Sequence, residues 1–371
     1  MVITHDLILK LIQAGLVHLE AILEGNLQIS CTLRRNHNLR IEFRDGSGYL
    51  VKRPYDPIDQ GSTTLLREAA FYKHCQSTPF LEHIVKCLPR LVYFDAATST
   101  VGLALIPNVR PLWRLYQDAV GSEMIAKASL CLGEFLGRFH GEFCSQVGDP
   151  NSELSSLPSS APWVLQIHRP IPELLATISP ANYKLLEIVQ SDSDVCNQLD
   201  RLLTEWEPVS LIHGDLRSDN VLVRLNGVSS EPISIALVDW EFLQCGDPSW
   251  DLACALQDTL QIWITTMPPY KDMYEMIRSA PHRLPALQMA FRSFWKGYKL
   301  GRNIFGLHAE ILLQKAIRFS GLRLIQAAYE VGNMEILLPS ASALLLQLSS
   351  NILKDPATAQ LELFGIPTIT I

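Results

Sequence analysis

Acidic and amide side chains with catalytic potential are concentrated in one short segment of the chain. Residues 213–220 read His-Gly-Asp-Leu-Arg-Ser-Asp-Asn, and Asp239 follows further along, directly after the apolar run Ile-Ala-Leu-Val. The carboxylate of Asp215 is suited to take the proton of a hydroxyl group as that oxygen forms a new bond. Asn220 and Asp239 offer the amide and carboxylate oxygens that the hard Mg²⁺ ion prefers. The spacing therefore predicts a general base beside a magnesium site.

This combination of residues fits the transfer of a phosphoryl group from a nucleotide to a hydroxyl. Such a reaction needs an anionic donor that is held and neutralised, a metal that bridges its phosphates and an acceptor oriented in line. Asp215 would serve as the base, and Arg217 could stabilise negative charge in the transition state. His213 is expected to brace the loop. The alternative, in which Asp215 and Asp239 are turn or capping residues, loses weight because both occur together in this context.

Strand-like segments and one helix follow an N-terminal amphipathic helix, which is predicted over residues 6–24. Three strands, a helix and two further strands indicate an antiparallel sheet that carries one helix, a small α+β lobe. The predicted strands are Gln28–Leu33, Arg40–Arg44, Tyr49–Arg53, Leu91–Asp95 and Val101–Ile106, and the helix, Leu65–Cys75, follows the third of them.

The pattern becomes mainly helical beyond residue 106. Pro107 and Pro111 bracket a break, so we predict an N-lobe of residues 1–106 and a C-lobe of residues 107–371. The acidic segment lies between a predicted strand and a hairpin with the turn Asn226-Gly227. The predicted elements here are helix Glu123–Cys144, loop Gln146–Pro162, strand Val209–Ile212 and hairpin strands Val221–Leu225 and Ile233–Val238, with helices continuing to about Leu353.

Three motifs in the second half of the chain resemble those of a known enzyme family. They are His213-Gly-Asp-Leu-Arg-Ser-Asp-Asn220, Asp239-Trp-Glu241 and Gly246-Asp-Pro-Ser-Trp-Asp-Leu-Ala253. Together they look like the motifs of the aminoglycoside phosphotransferase and choline kinase branch of the protein-kinase-like superfamily. The resemblance implies a two-lobed α+β fold with a small antiparallel-sheet N-lobe that carries one helix and a larger, mainly helical C-lobe. It also implies that the nucleotide binds in the cleft.

The resemblance assigns roles to individual residues of the C-terminal half. Asp215 corresponds to the catalytic base, and Asn220 and Asp239 correspond to the Mg²⁺ ligands. Asp251 resembles the aspartate that holds the backbone of the catalytic loop, and the alternative is a carboxylate that stabilises a helix N-terminus. Arg217 stands where many protein kinases have a lysine that contacts the transferred phosphate, and a purely structural role is its alternative.

The resemblance also predicts how the nucleotide is held. Lys52 is the candidate phosphate-binding lysine, because it shares a strand face with Leu50, which would lie over the base. Arg53, on the opposite face, is its rival. Glu68 would be the ion-pair partner of Lys52, although a glutamate in the first turns of a helix is also favoured by the helix dipole. Ile106 is a further predicted nucleotide contact.

One part of the chain departs from the family pattern. Residues 33–38, at the turn between the first two strands, read Leu-Arg-Arg-Asn-His-Asn, without the glycines of a phosphate-binding loop. Arg34 or Arg35 could contact phosphates through side chains instead of backbone amides. A solvated basic turn is the alternative.

Composition narrows the class of partner. The chain has 371 residues, 48% of them hydrophobic, and a formal net charge of −7, so nucleic acid is not an expected partner. Its eight cysteines show no metal-binding or Cys-x-x-Cys spacing. Neither a signal peptide nor a membrane span is recognisable, and a reducing cytoplasm is the expected location.

Three functions are compatible with these features. The first is an ATP- and Mg²⁺-dependent phosphotransferase that acts on a hydroxyl of a small molecule. The second is a kinase for Ser/Thr of a peptide, as in lanthipeptide-type modification, with a biosynthetic partner protein. The third is a nucleotide-binding pseudokinase that acts as a scaffold. Retention of all the predicted catalytic residues argues against the third.

Overall fold

The computed structural model describes residues 2–33, 35–55, 60–117, 121–144, 154, 157–224, 233–268 and 273–368. The chain forms two compact units. The first contains residues 1–109 together with 236–243, and the second contains residues 110–235 together with 244–371. The sequence predicts one boundary, between residues 106 and 107, whereas the first unit runs to residue 109 and also includes a short segment from late in the chain. No helix in the described part of the chain is long and apolar enough to cross a membrane.

An antiparallel sheet of five strands forms the centre of the first unit, in the order β1-β2-β3-β5-β4. All five predicted strands are present, with ends shifted by a few residues. In β3, Val51 is fully buried and pairs with Leu39 of β2 and Gly102 of β5. The strands are β1 (Leu27–Leu33), β2 (His37–Phe43), β3 (Gly48–Arg53), β4 (Leu91–Asp95) and β5 (Thr100–Ala104).

The single N-terminal helix predicted over residues 6–24 is wrong, because the structure has two helices there, α1 (Val2–Gln13) and α2 (Leu19–Leu23). Gly15 has a left-handed backbone with φ of +71°, and the amide of Leu16 donates to the carbonyl of Leu11. Such a glycine satisfies the last carbonyls of a helix and ends it. Only α1 contributes to the core, where Leu7 and Leu11 pack with apolar side chains of β2 and β3.

Helix α3 (Gln60–Ser77) contains the predicted helix Leu65–Cys75 and packs its apolar side chains inward. Phe71, fully buried, lies 4.5 Å from Trp240 between ring centroids, and this contact anchors the returning segment 236–243 within the first unit. A short helix, α4 (Glu82–Val85), precedes a backbone hydrogen bond from Leu237 to Cys87.

The second unit is mainly helical. Its short strands β7 (Ser210–Ile212) and β10 (Gln244–Gly246) pair antiparallel, and β8 (Val221–Arg224) is also short. Two more short strands, β6 (Val109–Pro111) and β9 (Ser234–Leu237), include the residues at which the chain passes from one unit to the other. The predicted loop Gln146–Pro162 lies mostly outside the described residues, and so does the Asn226-Gly227 turn. The helices are α5 (Leu112–Gln117), α6 (Ser122–Cys144), α7 (Pro172–Leu175), α8 (Pro180–Ser191), α9 (Ser193–Thr204), α10 (Pro248–Thr265), α11 (Met273–Arg278), α12 (Leu284–Arg302), α13 (Gly306–Val331), α14 (Ser340–Lys354) and α15 (Pro356–Thr358).

Helices α6 and α12 approach each other closely at four glycines. Gly133 and Gly137 on α6 lie against the backbone of α12, and Gly297 and Gly301 on α12 lie against the backbone of α6. A Cβ atom on Gly133 would overlap the carbonyl oxygen of Phe294. Small residues let two helix backbones come this near, so the glycine spacing fixes the interhelical distance.

We therefore expect Gly133→Ala to destabilise the protein. The added methyl group forces the two backbones apart, and overpacking of this kind costs about 1–3 kcal/mol in the free energy of unfolding. Urea unfolding measures the loss. Gly141→Ala is the matched control on the same helix, because its new methyl group would meet only the side chain of Arg302, 3.3 Å away. If both variants had equal free energies of unfolding, this account of the helix contact would be contradicted.

Candidate active site

A buried cluster of three charged residues lies in the first unit. Lys52, on β3, donates from Nζ to both carboxylate oxygens of Glu68, each at 3.0 Å, and also to Oδ1 of Asp239. Lys52 and Glu68 are almost completely buried, whereas the Asp239 side chain is 38% exposed. The ion pair expected between Lys52 and Glu68 is thus present, and Lys52 also contacts Asp239, a predicted metal ligand.

Backbone geometry holds the two carboxylates of this cluster in place. Asp239 has a left-handed backbone with φ of +68°, an uncommon conformation for a residue with a side chain. The following amide, of Trp240, donates to Oε1 of Glu68 at 3.2 Å. The apolar strand before Asp239 and the buried indole of Trp240 after it therefore fix the backbone position from which the Asp239 side chain projects.

Burial and pairing act in opposite directions on the charges of this cluster. Burial alone would lower the pKa of Lys52, but the carboxylates of Glu68 and Asp239 outweigh it and raise that pKa, so the lysine is charged. Burial raises the pKa of Glu68, with Lys52 opposing and Asp239 reinforcing the shift. One cation is thus shared by two carboxylates.

The glycine-free turn is attached to the segment that follows Asp239. Asn36, which is buried, donates from Nδ2 to Oε2 of Glu241 at 2.9 Å. The guanidinium of Arg35 lies 4.7 Å from the centroid of the Phe242 ring. Burial, followed by the nearby charge of Asp239, raises the pKa of Glu241 to about 7. The sequence did not predict the contacts of Asn36 with Glu241 or of Arg35 with Phe242. Arg34, the other predicted phosphate contact of this turn, lies outside the described residues.

The remaining predicted nucleotide contacts lie on or near the same sheet. Leu50 is half-buried on β3, opposite Leu103 of β5. Ile106, also half-buried, follows β5. Arg53, the rival of Lys52, instead forms an ion pair with Asp6 at 3.5 Å. Lys52 is therefore the better candidate of the two for binding phosphates.

The loop that contains Asp215 lies in the second unit and is held by helix α10. Asp251, fully buried, accepts hydrogen bonds from the backbone amides of His213 at 2.7 Å and Gly214 at 3.0 Å. Gly214 has a left-handed backbone with φ of +81°, which glycine adopts without strain. The indole of Trp250 donates to the carbonyl of Gly214 at 3.1 Å. Asp251 thus holds the loop backbone, as its resemblance implied.

His140, on α6, completes the surroundings of Asp251. Its Nε2 lies 3.2 Å from the carboxylate, and its Nδ1 lies 3.0 Å from the hydroxyl of Tyr298. Burial alone would raise the pKa of Asp251, but the hydrogen bonds and charge of its neighbours prevail and lower it. A carboxyl with a lowered pKa stabilises the folded state above its ordinary value of 3.8, and that contribution is lost as the pH falls below it.

The end of the loop is held by two further contacts. Asn220 donates from Nδ2 to the backbone carbonyl of Asp215 at 3.0 Å, so its Oδ1 is not the atom used in this contact. The carboxylate of Asp258, seven residues after Asp251 on α10, accepts from the amide of Ser218 at 3.0 Å. Asp258 was missed by sequence analysis, although its helical spacing from Asp251 places both on one face of α10.

Two residues of α13 contact the loop side chains. Arg323 lies 3.9 Å from Oδ1 of Asp215, and Glu330 lies 3.6 Å from Nη1 of Arg217. Burial alone would lower the pKa of Arg217, but the carboxylates of Asp215 and Glu330 raise it. Neither α13 residue was predicted, because no local pattern marks either one.

The donor set is compatible with Mg²⁺. The candidate ligands, Asn220 and Asp239, present amide and carboxylate oxygens, and the amide nitrogen of Asn220 is already used by the loop. Within the part of the chain that the structure describes, no group of three or more His, Cys, Asp or Glu side chains could hold a metal. Mg²⁺ is often bound by one or two protein groups together with phosphates, so the side-chain oxygen of either residue is of a type that fits it.

Comparison with known proteins places the chain in a family. Residues 34–287 match the phosphotransferase enzyme family, APH. The match spans more than half of the chain, so the chain belongs to this family and is a phosphotransferase of the kinase class. The branch inferred from the three motifs is thereby confirmed. No protein with a curated description matches the chain.

Solved structures share the fold. A choline kinase from Cryptosporidium parvum Iowa II is 12% identical with a TM-score of 0.55, covering 95% of this chain and 97% of its own. The amicoumacin kinase hAmiN, in complex with AMP-PNP, Ca²⁺ and Ami, is 15% identical with a TM-score of 0.51 and coverages of 92% and 95%. A mutant aminoglycoside 2'-phosphotransferase-IIIa with GDP is 16% identical with a TM-score of 0.50 and coverages of 88% and 92%. The predicted protein-kinase-like fold class is confirmed.

We expect Asp251→Ala to destabilise the protein strongly. It leaves two buried amides and His140 without their acceptor, and breaking a buried charged network costs about 3–5 kcal/mol in the free energy of unfolding. Asp251→Asn is the matched control, because its amide oxygen can still accept one hydrogen bond. Chemical denaturation measures both, and equal losses in the two variants would refute the anchoring role.

Proposed function

We propose that the protein transfers the γ-phosphoryl group of ATP, with Mg²⁺, to a hydroxyl of a small molecule. One observation carries the proposal. Each unit keeps its part of a kinase-type catalytic set in an ordered arrangement. Lys52 pairs with Glu68 and Asp239 in the first unit, and the Asp215 loop is held by Asp251 in the second.

Binding of the nucleotide is assigned to residues of the first unit. Lys52, oriented by Glu68, would neutralise charge on the donor phosphates. Leu50 and Ile106 would contact the base. Arg35, held over Phe242, would supply a side-chain guanidinium near the phosphates in place of the missing backbone amides.

Asp239 and Asn220 would bind Mg²⁺ through their side-chain oxygens. Bound Mg²⁺ neutralises charge on the phosphate oxygens and orients them for displacement. The hydrogen bond from Nδ2 of Asn220 to the loop supports this assignment, because it fixes which end of the amide is left for the metal.

Asp215 would accept the proton of the acceptor hydroxyl. As the acceptor oxygen bonds to phosphorus, the bond to the leaving nucleotide oxygen breaks and the proton passes to the Asp215 carboxylate. Arg217, paired with Glu330, would place a cation near the transferred group.

Similar structures support a nucleotide donor without naming it for this chain. The amicoumacin kinase carries AMP-PNP and the aminoglycoside phosphotransferase carries GDP. We therefore propose ATP and test GTP beside it. The named relatives suggest aminoglycosides, choline and amicoumacin-like compounds as first acceptors, and a Ser/Thr peptide represents the alternative. ADP or GDP release from purified protein, with and without each acceptor, separates these candidates.

Asp215→Asn should lower phosphoryl transfer by about 100-fold or more, because general-base catalysis alone contributes about 10²–10⁴-fold. Nucleotide binding should be retained, since the variant changes no residue assigned to the nucleotide. Steady-state kinetics and a thermal-shift titration with ATP and Mg²⁺ measure the two effects. Asp219→Asn is the control, an exposed aspartate of the same loop. Equal turnover in the two variants would refute the assignment of Asp215.

Asp239→Ala should abolish the part of the nucleotide-induced stabilisation that depends on Mg²⁺. A ligand at 100 times its Kd stabilises the folded state by about 2.7 kcal/mol, which a thermal-shift assay resolves. Asp45→Ala, at an exposed turn of the same unit, is the control. If ATP with Mg²⁺ left the melting temperature of the wild-type protein unchanged, the scaffold alternative would be favoured instead. A variant that keeps the full Mg²⁺ response would refute the ligand role.

A further inference from the structure

Helix α13 places two charged side chains against the catalytic loop. Arg323 and Glu330 are seven residues apart, which corresponds to about two turns, so they lie on one face of the helix. Arg323 lies 3.9 Å from Oδ1 of Asp215, and Glu330 lies 3.6 Å from Arg217. Each therefore meets a loop side chain of opposite charge.

The guanidinium of Arg323 is tightly confined. The residue is only 4% exposed, and its guanidinium carbon lies 5.3 Å from the centroid of the Trp250 ring. That indole is itself fixed, because it donates to the carbonyl of Gly214 and packs edge-on against Phe319, one turn before Arg323. The cation therefore has little freedom to move away from the loop.

The charge balance of Arg323 depends on Asp215. A buried guanidinium needs an anionic partner, and among the described residues Asp215 is the carboxylate that pairs with it. Nε of Arg323 is buried without a hydrogen-bond partner among the described residues. Its guanidinium therefore meets two groups, the Trp250 ring and the Asp215 carboxylate.

This pairing lies outside the segment by which the family is recognised. The family match ends at residue 287, and α13 begins at Gly306. Arg323, which contacts Asp215 from α13, is therefore not part of the motifs by which the family is recognised.

We propose that Arg323 is a positioning residue for phosphoryl transfer, and the proposal rests on the proposed function. Its guanidinium attracts Oδ1 of Asp215 across 3.9 Å, and this attraction favours the carboxylate orientation that leaves Oδ2 for the acceptor hydroxyl. A carboxylate that already has the reactive orientation loses less rotational entropy on the way to the transition state.

The experiment compares Arg323→Met with Arg318→Met. Arg318 lies on the same helix and pairs with both carboxylate oxygens of Glu205, at 3.0 and 2.6 Å, so its variant also removes an ion pair of α13. ADP release is followed with ATP, Mg²⁺ and water as the acceptor. Arg323→Met should lower kcat about 10–100-fold with little change in the KM for ATP, a misplacement effect. Arg318→Met should stay within about twofold of wild type, because Arg318 pairs with Glu205 and, among the described residues, with no side chain of the Asp215 loop.

Two further variants distinguish positioning from a general loss of structure. In an Asp215→Asn background, Arg323→Met should cause little additional loss, because residues that act as a unit are not additive. Arg323→Lys, which keeps the charge but not the planar fork, should fall between wild type and Arg323→Met. If Arg323→Met does not fold, Arg323→Lys with a normal ATP-induced thermal shift and a lowered kcat supports the proposal.

Several outcomes would overturn the inference. These are equal kcat values for Arg323→Met and Arg318→Met, a full additional loss in the Asp215→Asn background, or an unchanged kcat in Arg323→Lys when Arg323→Met is unfolded. A wild-type protein that releases no ADP, with or without any acceptor, would count against the proposed function itself. If the Asp215→Asn variant lost activity and the Arg323→Met variant did not, the proposed function would stand and only the positioning role would be refuted.

Discussion

The carboxylate of Asp251 makes the contacts on which the arrangement of the loop that contains Asp215 depends. It is fully buried, and it accepts from two successive backbone amides while it pairs with His140. A buried carboxylate is costly unless all its oxygens are satisfied, and here the loop itself supplies the donors. The loop therefore cannot leave its place without exposing an unpaired charge to an apolar interior. The left-handed Gly214 and the indole of Trp250 follow from this constraint, because both lie where the chain turns over the carboxylate.

The first unit solves a different electrostatic problem. Lys52 is shared by Glu68 and Asp239, so two carboxyl groups face a single ammonium in this cluster. A surplus of negative charge in a poorly solvated place favours an added cation. The two carboxyl groups also raise the pKa of Lys52 and so keep it protonated. The hydrogen bond from Asn36 to Glu241 connects the glycine-free turn with the segment after Asp239. The turn is thus held by a side-chain contact.

The sequence revealed the elements of the fold better than their partners. Alternation and turn residues located all five strands of the sheet and helix α3, because these signals are local. The same reasoning merged α1 and α2, since helical spacing continues across Gly15 and only the backbone angle there ends the helix. Asp215 and Asp251 could be singled out because motifs carry them, and Lys52 and Glu68 because of their places on a predicted strand and helix. The contacts of Asn36 with Glu241 and of Arg323 with Asp215 join residues far apart in the chain, and no local period encodes such pairs.

Two helices hold the catalytic loop in physically different ways. Helix α10 binds backbone amides, through Asp251 and Asp258, and such anchors work with any side chains on the loop. Helix α13 binds side chains, so its residues must match the charges of Asp215 and Arg217. Backbone anchors can therefore belong to a motif that is recognised from sequence alone. Side-chain anchors become visible only when the loop and the helix are seen together, which is why the contribution of α13 required the structure.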